Sequence, residues 1–348
     1  MCINYFNKGD TLNTMDNIFI NILFSVLGVF LLYLGGNFIV DGSVAIANRL
    51  KIAPIVIGLT VVAMGTSMPE LFVSLFGAIR GNSDIAVGNV IGSNIFNIIF
   101  VLGVSALFMN MCAGTKSYYI SMYSMFFVYI VLFVMLLNFD NMTLIGDKIS
   151  VLEGVILFLL LCVYVFYLYK FMSKDKNELA NFEKEVSHIK QSSIFVAIIK
   201  IIIAILALAF GSDIFINGVT EIFDDFISEH IIGFIVVAVG TSIPELVTSV
   251  VAAIKKEADI SVGNIVGSNI FNVAGVLGIS SIASYKFGGI ILSETQNYLI
   301  DFSLMFASGI LLYLFTLRGS SIGKVKGIIF LFIYIAYVVF LLKTTVVG

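Results

Sequence analysis

The sequence predicts an all-α integral membrane protein with ten transmembrane helices, arranged as two inverted-topology five-helix repeats. Three observations support this fold class. Hydrophobic residues make up 59% of the 348 residues and charged residues only 12%, whereas soluble domains are about 45–50% apolar and about 25% charged. Ten stretches are apolar and long enough to cross a bilayer. A 33-residue motif of the first half recurs in the second half.

Each predicted span has about 20 or more mostly apolar residues, the length that a helix needs to cross the hydrocarbon core. The ten spans cover residues 18–48, 53–80, 84–108, 117–138, 148–171, 193–223, 230–254, 259–283, 296–317 and 323–343. The first and sixth are longer than a simple crossing, so we expect them to tilt or to extend past the bilayer. The N-terminal segment is polar and does not resemble a cleaved signal peptide.

A polar segment, residues 173–192, is predicted to be a linker between the halves 1–172 and 193–348. Thirteen Lys and Arg residues fall in the loops on the side that holds this linker, and five fall in the loops on the other side. The positive-inside rule therefore places the linker in the cytoplasm and both termini outside a plasma membrane that the chain crosses many times.

Composition also bounds the partners of the chain. The net charge of −3 does not indicate a nucleic-acid partner. The two histidines, His188 and His230, and the three cysteines show no metal-ligand spacing. We therefore expect no cofactor, and no obligatory protein partner is evident; the lipid bilayer is the expected environment.

The internal repeat is the most informative feature. Residues 65–97 read GTSMPELFVSLFGAIRGNSDIAVGNVIGSNIFN, and residues 240–272 match them without a gap at an offset of 175, with 20 of 33 positions identical. Shared hydrophobicity does not explain the match, because the identical residues include Thr, Ser, Pro, Glu, Asp and Asn. Five spans in each half give the two halves opposite orientations. Such inverted repeats are typical of secondary transporters, whose binding sites lie near the bilayer midplane where the repeats meet.

Each copy of the motif places a carboxylate inside a predicted span, Glu70 in the second and Glu245 in the seventh. A charge at the bilayer centre costs at least about 2.5–3.5 kcal/mol. An acid that snorkels or pairs with a buried base is the alternative, but no Lys or Arg lies deep in any predicted span. Because inverted symmetry would bring both carboxylates together, we expect them to bind a cation.

A proline, Pro69 or Pro244, precedes each glutamate. Proline removes a backbone donor and clashes with the preceding helical turn, so we expect a helix break at these positions. A simple packing kink is the alternative. The expected cage of carboxylate, freed carbonyl and hydroxyl oxygens suits hard cations such as Ca²⁺ or Na⁺. Carbonyl groups are expected from Ala63, Gly65, Thr66, Ala238, Gly240 and Thr241, and hydroxyl groups from Thr66, Ser67, Thr241 and Ser242.

The helix that follows each glutamate carries a polar stripe with a spacing of four residues, which places its members on one helix face. The stripe consists of Asn89, Ser93 and Asn97 in the first copy and of Asn264, Ser268 and Asn272 in the second. We expect the serines and the last asparagine of each stripe to be ligands, whereas Asn89 and Asn264 could be ligands or polar contacts between helices. The small-xxx-small pairs Gly88/Gly92 and Gly263/Gly267 favour close helix approach.

These residues resemble the α-repeats of the sodium/calcium exchanger family, in the cation/Ca²⁺ antiporter superfamily. The signature is GTSxPE followed by GNxxGSNIxN, and the sequence carries both twice. The resemblance implies a Na⁺/Ca²⁺ antiporter and not an enzyme, with first and sixth helices that slide as a gate. It implies Ca²⁺ binding by Glu70, Glu245, Thr66 and Thr241. It implies Na⁺ binding by Ala63, Thr66, Ser67, Glu70, Ser93, Asn97, Ala238, Thr241, Ser242, Glu245, Ser268 and Asn272.

Other functions stay open at this point. Ca²⁺/H⁺ exchange is the alternative within the same class, and an intramembrane protease with two carboxylates is an alternative from a different class, although no GxGD motif occurs. A channel is a third alternative. Some relatives carry Asp at the position of Asn272, and in potassium-dependent members an acid near this position is linked to K⁺, so K⁺ co-transport is less expected here. The short linker resembles that of the compact prokaryotic type.

Overall fold

The computed structural model describes residues 11–81, 83–111, 115–137, 148–172, 193–223, 239–292, 298–317 and 321–346. The predicted linker 173–192, residues 230–238 of the seventh predicted span and both chain ends lie outside the described residues. Within these ranges the chain is almost entirely helical.

The helices are labelled in chain order. They are α1 Thr11–Leu50, α2 Pro54–Thr66, α3 Met68–Ile79, α4 (residues 83–108), α5 Lys116–Leu136, α6 (residues 151–172), α7 Ile194–Phe223, α8 Ile243–Ile254, α9 Ala258–Ala283, α10 Tyr298–Thr316 and α11 Lys324–Val346. Together α2 and α3 fill the second predicted span and meet at an angle of 46°. The first helix begins at Thr11 and not at residue 18 as predicted.

The apolar composition of the helices makes this an integral membrane protein. By length and composition, six helices of the described chain can cross a membrane: α1, α4, α5, α6, α7 and α9. The count is seven if the bent pair of α2 and α3 forms one span. Only 28% of the apolar window is buried in each of α1, α6 and α7. Their exposed faces carry large hydrophobic side chains such as Phe30, Phe166 and Phe195, which a bilayer would cover.

The core lies around α4 and α9, the helices that carry the polar stripes. The protein buries 78% of the apolar window of α4 and 89% of that of α9. A Cβ atom on Gly267 would lie 2.6 Å from the carbonyl oxygen of Leu59, and one on Gly263 would lie 2.8 Å from that of Ile55. Helices α2 and α9 therefore touch through their backbones, as this glycine pair predicts. Gly88 meets nothing within 4 Å among the described residues.

A short pair of strands joins the two halves. Strand β1, Lys148–Ser150, pairs antiparallel with β2, Gly289–Ile291. The fifth predicted span begins at residue 148, so residues 148–150 were expected to be helical, and this expectation is wrong. The reason is a capping box: Ser150 accepts from the Glu153 N–H, and the Glu153 carboxylate accepts from the Ser150 N–H at 2.7 Å. The helix therefore begins at Val151, immediately after the strand.

The two longest helices, α1 and α7, pack against each other along a seam of small residues. A Cβ atom on Gly28, Gly35 or Gly42 would lie only 2.7–2.8 Å from the nearest atom of α7. These glycines are seven residues apart, so they recur on one face of α1. Glycine is required on this face because a larger side chain would push the two backbones apart.

Candidate cation site

The two glutamates lie at the beginning of α3 and α8 and are fully buried. Ser67 and Ser242 precede these helices as N-caps, with nearly equal φ/ψ angles of −84°/12° and −93°/7°. The breaks therefore fall two residues before Pro69 and Pro244, at Ser67 and Ser242. Each proline lies in the first helical turn, where its missing N–H leaves no intrahelical hydrogen bond unmade. Each carboxylate lies at a helix N-terminus, where the helix dipole favours negative charge.

The serines cross between the two motif copies. Ser67 Oγ donates to Oε1 of Glu245 at 2.8 Å, and Ser242 Oγ donates to Oε1 of Glu70 at 2.9 Å. All four side chains are buried. Each glutamate therefore accepts its shortest hydroxyl hydrogen bond from the other half of the chain, so the two copies of the motif contribute to a single site. Ser268, in the same half as Glu245, also donates to Oε1 of Glu245, at 3.4 Å.

The two threonines next to the serines form a second pair of crossed hydrogen bonds, with the amide groups of Asn89 and Asn264. Thr66 Oγ1 donates to Oδ1 of Asn264 at 3.0 Å, and Asn264 Nδ2 donates to Ser249 Oγ at 3.0 Å. In the other copy Thr241 donates to Asn89 at 3.0 Å, and Asn89 donates to Ser74 at 2.9 Å. Because protein groups occupy both ends of these amides, the geometry favours the interpretation of Asn89 and Asn264 as polar contacts between helices.

Six buried polar atoms of the predicted ligands have no hydrogen-bond partner among the described residues. They are Oε2 of Glu70, Oε2 of Glu245, Oγ of Ser93, Oδ1 and Nδ2 of Asn97, and Oδ1 of Asn272. A buried polar group without a partner costs about 1–3 kcal/mol. Ser93 lies near Glu70 but beyond hydrogen-bond geometry. Such a concentration of unsatisfied oxygen atoms fits a bound cation.

The charge of the site is not balanced by a base. Neither Glu70 nor Glu245 forms a salt bridge with a Lys, Arg or His of the described chain. The described residues also contain no cluster of three or more His, Cys, Asp or Glu side chains. With both carboxylates ionised, the site therefore carries two negative charges surrounded by neutral oxygen donors.

The carbonyl groups near the breaks are only partly free. The Ala63 carbonyl accepts from the Ser67 N–H at 3.0 Å and from Ser268 Oγ at 3.4 Å. The Gly240 carbonyl accepts a short bond of 2.5 Å from Ser212 Oγ on α7. Ala238, the counterpart of Ala63, lies outside the described residues.

Hydrogen bonds link Glu245 to Ser67 and Ser268, and Glu70 to Ser242. Thr66 lies 3.5 Å from Ser268, which also contacts the Ala63 carbonyl, and Thr241 donates to Asn89, which donates to the Glu70 carbonyl. Ser93, Asn97 and Asn272 are buried, and each has a polar atom without a partner among the described residues.

A polar network that the sequence did not predict lies beside the site. Asn272 Nδ2 donates to Oδ1 of Asn94 at 3.1 Å, and Asn94 Nδ2 donates to the carbonyl of Asn269 at 3.2 Å. Tyr129 on α5 donates to Oδ1 of Asn269 at 3.1 Å. The identity of Asn94 and Asn269 in the two copies was the available signal, but their position one residue after the serines takes them off the stripe.

The helical geometry changes at the same level. The stretches Phe96–Val101 in α4 and Phe271–Leu277 in α9 are π-helical. They include Asn97 and Asn272, so both predicted ligands lie in widened turns. Insertions of this kind frequently occur at functional sites, and neither the hydrophobic pattern nor the motif indicates them.

Comparisons with known proteins identify similar sequences and a similar structure. The sequence matches the family model described as sodium/calcium exchanger protein over residues 20–170 and 196–343. It is 33% identical to the putative antiporter CaxA of Alkalimonas amylolytica, covering 90% of this chain and 96% of that protein. It is 29% identical to the sodium/calcium exchanger MaX1 of Methanosarcina acetivorans, covering 92% of this chain and 98% of that protein. The structure of the sodium-calcium exchanger NCX_Mj superimposes with a TM-score of 0.75 at 29% identity, covering 92% of this chain and 99% of that one.

Proposed function

Because the chain belongs to the sodium/calcium exchanger family, we propose that it is a secondary active antiporter that exchanges Na⁺ for Ca²⁺ across the membrane by alternating access. The crossed pair of buried glutamates carries the proposal. Glu70 and Glu245 each have one oxygen bonded to a serine of the opposite motif copy and one oxygen without a described partner. Two carboxylates without a basic partner form a site for positively charged substrates.

Charge balance explains why such a site exchanges ions. One Ca²⁺ or two Na⁺ neutralise the two ionised carboxylates, whereas the carboxylates repel each other when no cation lies between them. Enclosing a site in the low-dielectric core costs less free energy when the bound cations neutralise the carboxylates than when the site carries a net charge. The protein therefore changes its exposure readily with Ca²⁺ or Na⁺ bound and resists the change without them, which favours exchange over leak.

The ligand assignment is part of the same proposal. Ca²⁺ prefers six to eight oxygen ligands, and the carboxylates of Glu70 and Glu245 with the carbonyls of Thr66 and Thr241 supply the charged and central part of that set. Na⁺ would use the glutamates and the neutral oxygens around them. The unpartnered atoms of Ser93, Asn97 and Asn272 support this assignment; the remaining proposed Na⁺ ligands are Ala63, Thr66, Ser67, Ala238, Thr241, Ser242 and Ser268.

The proposed architecture has ten transmembrane helices in two inverted repeats, with the linker in the cytoplasm and both termini outside the plasma membrane. The matched lengths of the crossed bonds, 2.8 and 2.9 Å for the serines and 3.0 Å for both threonines, support a pseudo-twofold axis through the site. A topology reporter fused after Gly348 tests the orientation. We expect it to be read outside, and a cytoplasmic reading would overturn the orientation.

The transport proposal is tested with purified protein in liposomes. We expect ⁴⁵Ca²⁺ uptake when a Na⁺ gradient is imposed, and no uptake with a pH gradient or without a gradient. Glu70→Gln and Glu245→Gln remove the charge at nearly constant shape, so we expect each to abolish uptake in a folded protein. Glu153→Gln is the matched control, because Glu153 lies in the capping box of α6. Uptake driven only by the pH gradient, or normal uptake by both site variants, would refute the proposal.

A further inference from the structure

The amide group of Asn272 is held in one orientation. Its Nδ2 donates to Oδ1 of Asn94 at 3.1 Å, whereas its own Oδ1 is buried and has no partner among the described residues. Asn272 lies one helical turn after Ser268, which contacts Glu245 at 3.4 Å. Residues four apart share a helix face, so Asn272 and Ser268 lie on the same side of α9.

The backbone carbonyl of Asn269 determines which end of the Asn94 and Asn272 side-chain amides is the oxygen and which is the NH₂ group. The Asn269 carbonyl can only accept, so the Asn94 atom that contacts it at 3.2 Å must be the Nδ2 donor. The other end of the Asn94 amide, which faces Asn272, is therefore an oxygen. An oxygen at this place requires a donor from Asn272, so the Asn272 NH₂ points to Asn94. The Asn272 oxygen is then the end that is left for a ligand.

The corresponding asparagine of the first copy lacks this constraint. Neither end of the Asn97 amide has a partner among the described residues. At the equivalent place, Oδ1 of Asn269 already accepts from Tyr129 on α5 at 3.1 Å. In the other copy Met305 on α10 offers only a sulfur, which accepts from Asn94 Nδ2 at 3.5 Å. A thioether has no hydrogen to donate, so it leaves Oδ1 of Asn94 available for Asn272.

We propose that Asn94 is a positioning residue for ion binding, which turns the Asn272 amide so that its oxygen and not its NH₂ faces a bound Na⁺. The proposal rests on the proposed function and deepens it, because it concerns the orientation of one proposed Na⁺ ligand. It also makes the two stripes unequal: the ligand oxygen of Asn272 is fixed in advance, whereas Asn97 has to be oriented by the ion.

The test measures the Na⁺ concentration that gives half-maximal Na⁺-driven ⁴⁵Ca²⁺ transport in liposomes, together with the maximal rate. In Asn94→Leu the Asn272 amide is free to present its NH₂, so we expect a roughly three- to tenfold increase in half-maximal Na⁺ with little change in the half-maximal Ca²⁺ concentration. Asn37→Leu is the matched control, because the Asn37 amide donates to the carbonyl of Tyr33 in its own helix, at 2.8 Å.

Two further variants separate positioning from a structural role. In Asn94→Asp a protonated carboxyl group donates to the Asn269 carbonyl and keeps the oxygen that accepts from Asn272. We therefore expect half-maximal Na⁺ not to rise, and this variant gives the result even if Asn94→Leu does not fold. Asn272→Asp has two equivalent oxygens, so in that background Asn94→Leu should no longer raise half-maximal Na⁺. A rise in Asn94→Asp, or the same effect of Asn94→Leu in both backgrounds, would overturn the proposal. Failure of the wild-type protein to respond to Na⁺ would instead refute the proposed function.

Discussion

Ser242 donates a hydrogen bond of 2.9 Å to the carboxylate of Glu70, although the two residues are 172 positions apart in the chain. The bond from Ser67 to Glu245 repeats the relationship at 2.8 Å. The site is therefore shared between the halves, because each glutamate accepts a short hydrogen bond from the serine of the opposite motif copy.

The crossed serines should be equivalent in function. We expect Ser67→Ala and Ser242→Ala each to raise the Na⁺ concentration for half-maximal transport, by amounts that agree within about twofold, because each removes the same contact to a buried carboxylate. A hydrogen bond to a charged group contributes roughly 1.5–3 kcal/mol. Ser124→Ala is the control, since the Ser124 hydroxyl donates to the carbonyl of Ile120 in its own helix. A large effect of one serine variant without the other would contradict the shared site.

Much of the fold follows from the sequence because two strong signals coincide. Long apolar stretches predict the helices, and the glycine pair of Gly263 and Gly267 predicts a close helix contact, which the structure shows between α2 and α9. The repeat predicted that Glu70 and Glu245 lie close together, because the proposed opposite orientation of the two halves would bring the two motif copies face to face. These predictions need only composition, length and symmetry.

The details that were not predicted depend on how helices rotate and end. The break falls at Ser67, whose non-helical backbone angles make it the N-cap of α3. The steric clash between a proline ring and the preceding helical turn predicts a break near Pro69 but does not specify the residue. The strand at Lys148–Ser150 needs a partner from the other half, Gly289–Ile291, that is remote in sequence. The role of Asn94 depends on which donor or acceptor its neighbours present, and this cannot be read from spacing.

The close contact between α2 and α9 gives a prediction for stability. A methyl group at residue 267 would lie 2.6 Å from the Leu59 carbonyl oxygen and 2.7 Å from the Ala63 side chain. Overpacking of this kind typically costs 1–3 kcal/mol, so we expect Gly267→Ala to lower the thermal unfolding temperature in detergent. In Gly309→Ala the nearest atoms, at 3.2 Å, are the flexible end of Met125 and the ring of Phe126. This control should change stability much less, and an equal loss in both variants would contradict the backbone contact.

An ion pair links the α1 helix to the end of α8. Lys255 Nζ lies 2.6 Å from Oδ1 of Asp41, and both side chains are partly exposed. In the other repeat the aligned residues are Arg80 and Asn217, so a carboxylate is lacking there. If α1 slides across α8 during transport, as the family resemblance implies, the pair has to break in every cycle.

We therefore expect Asp41→Asn to raise the maximal transport rate at low ionic strength. The increase should be at most about fivefold, because exposed pairs contribute about 0.2–1 kcal/mol. Lys255→Met should have the same effect, and the double variant should add nothing further. Lys256→Met, at the neighbouring lysine, is the control. Additive effects of the two single variants, or rates that do not depend on salt in the wild-type protein, would contradict a pair that is broken during the cycle.

The exposed face of α6 tests whether this helix borders lipid. Cys162 is exposed on this helix, next to the exposed Val163 and near Leu159. With Cys2 and Cys112 replaced by serine, we expect Cys162 in liposomes to react with a lipid-soluble maleimide and to resist a charged thiol reagent, because a charged molecule does not readily enter the hydrocarbon core.

The comparison for this labelling is a cysteine at the exposed end of β1. In a protein without Cys162, Lys148→Cys places a thiol on an exposed residue of a strand, and the charged reagent should modify it quickly. When detergent replaces the bilayer, the rates at which the charged reagent modifies the two thiols should become more similar. Equal modification of both thiols by the charged reagent in liposomes would mean that the apolar face of α6 is covered by water, which would contradict its assignment as a membrane span.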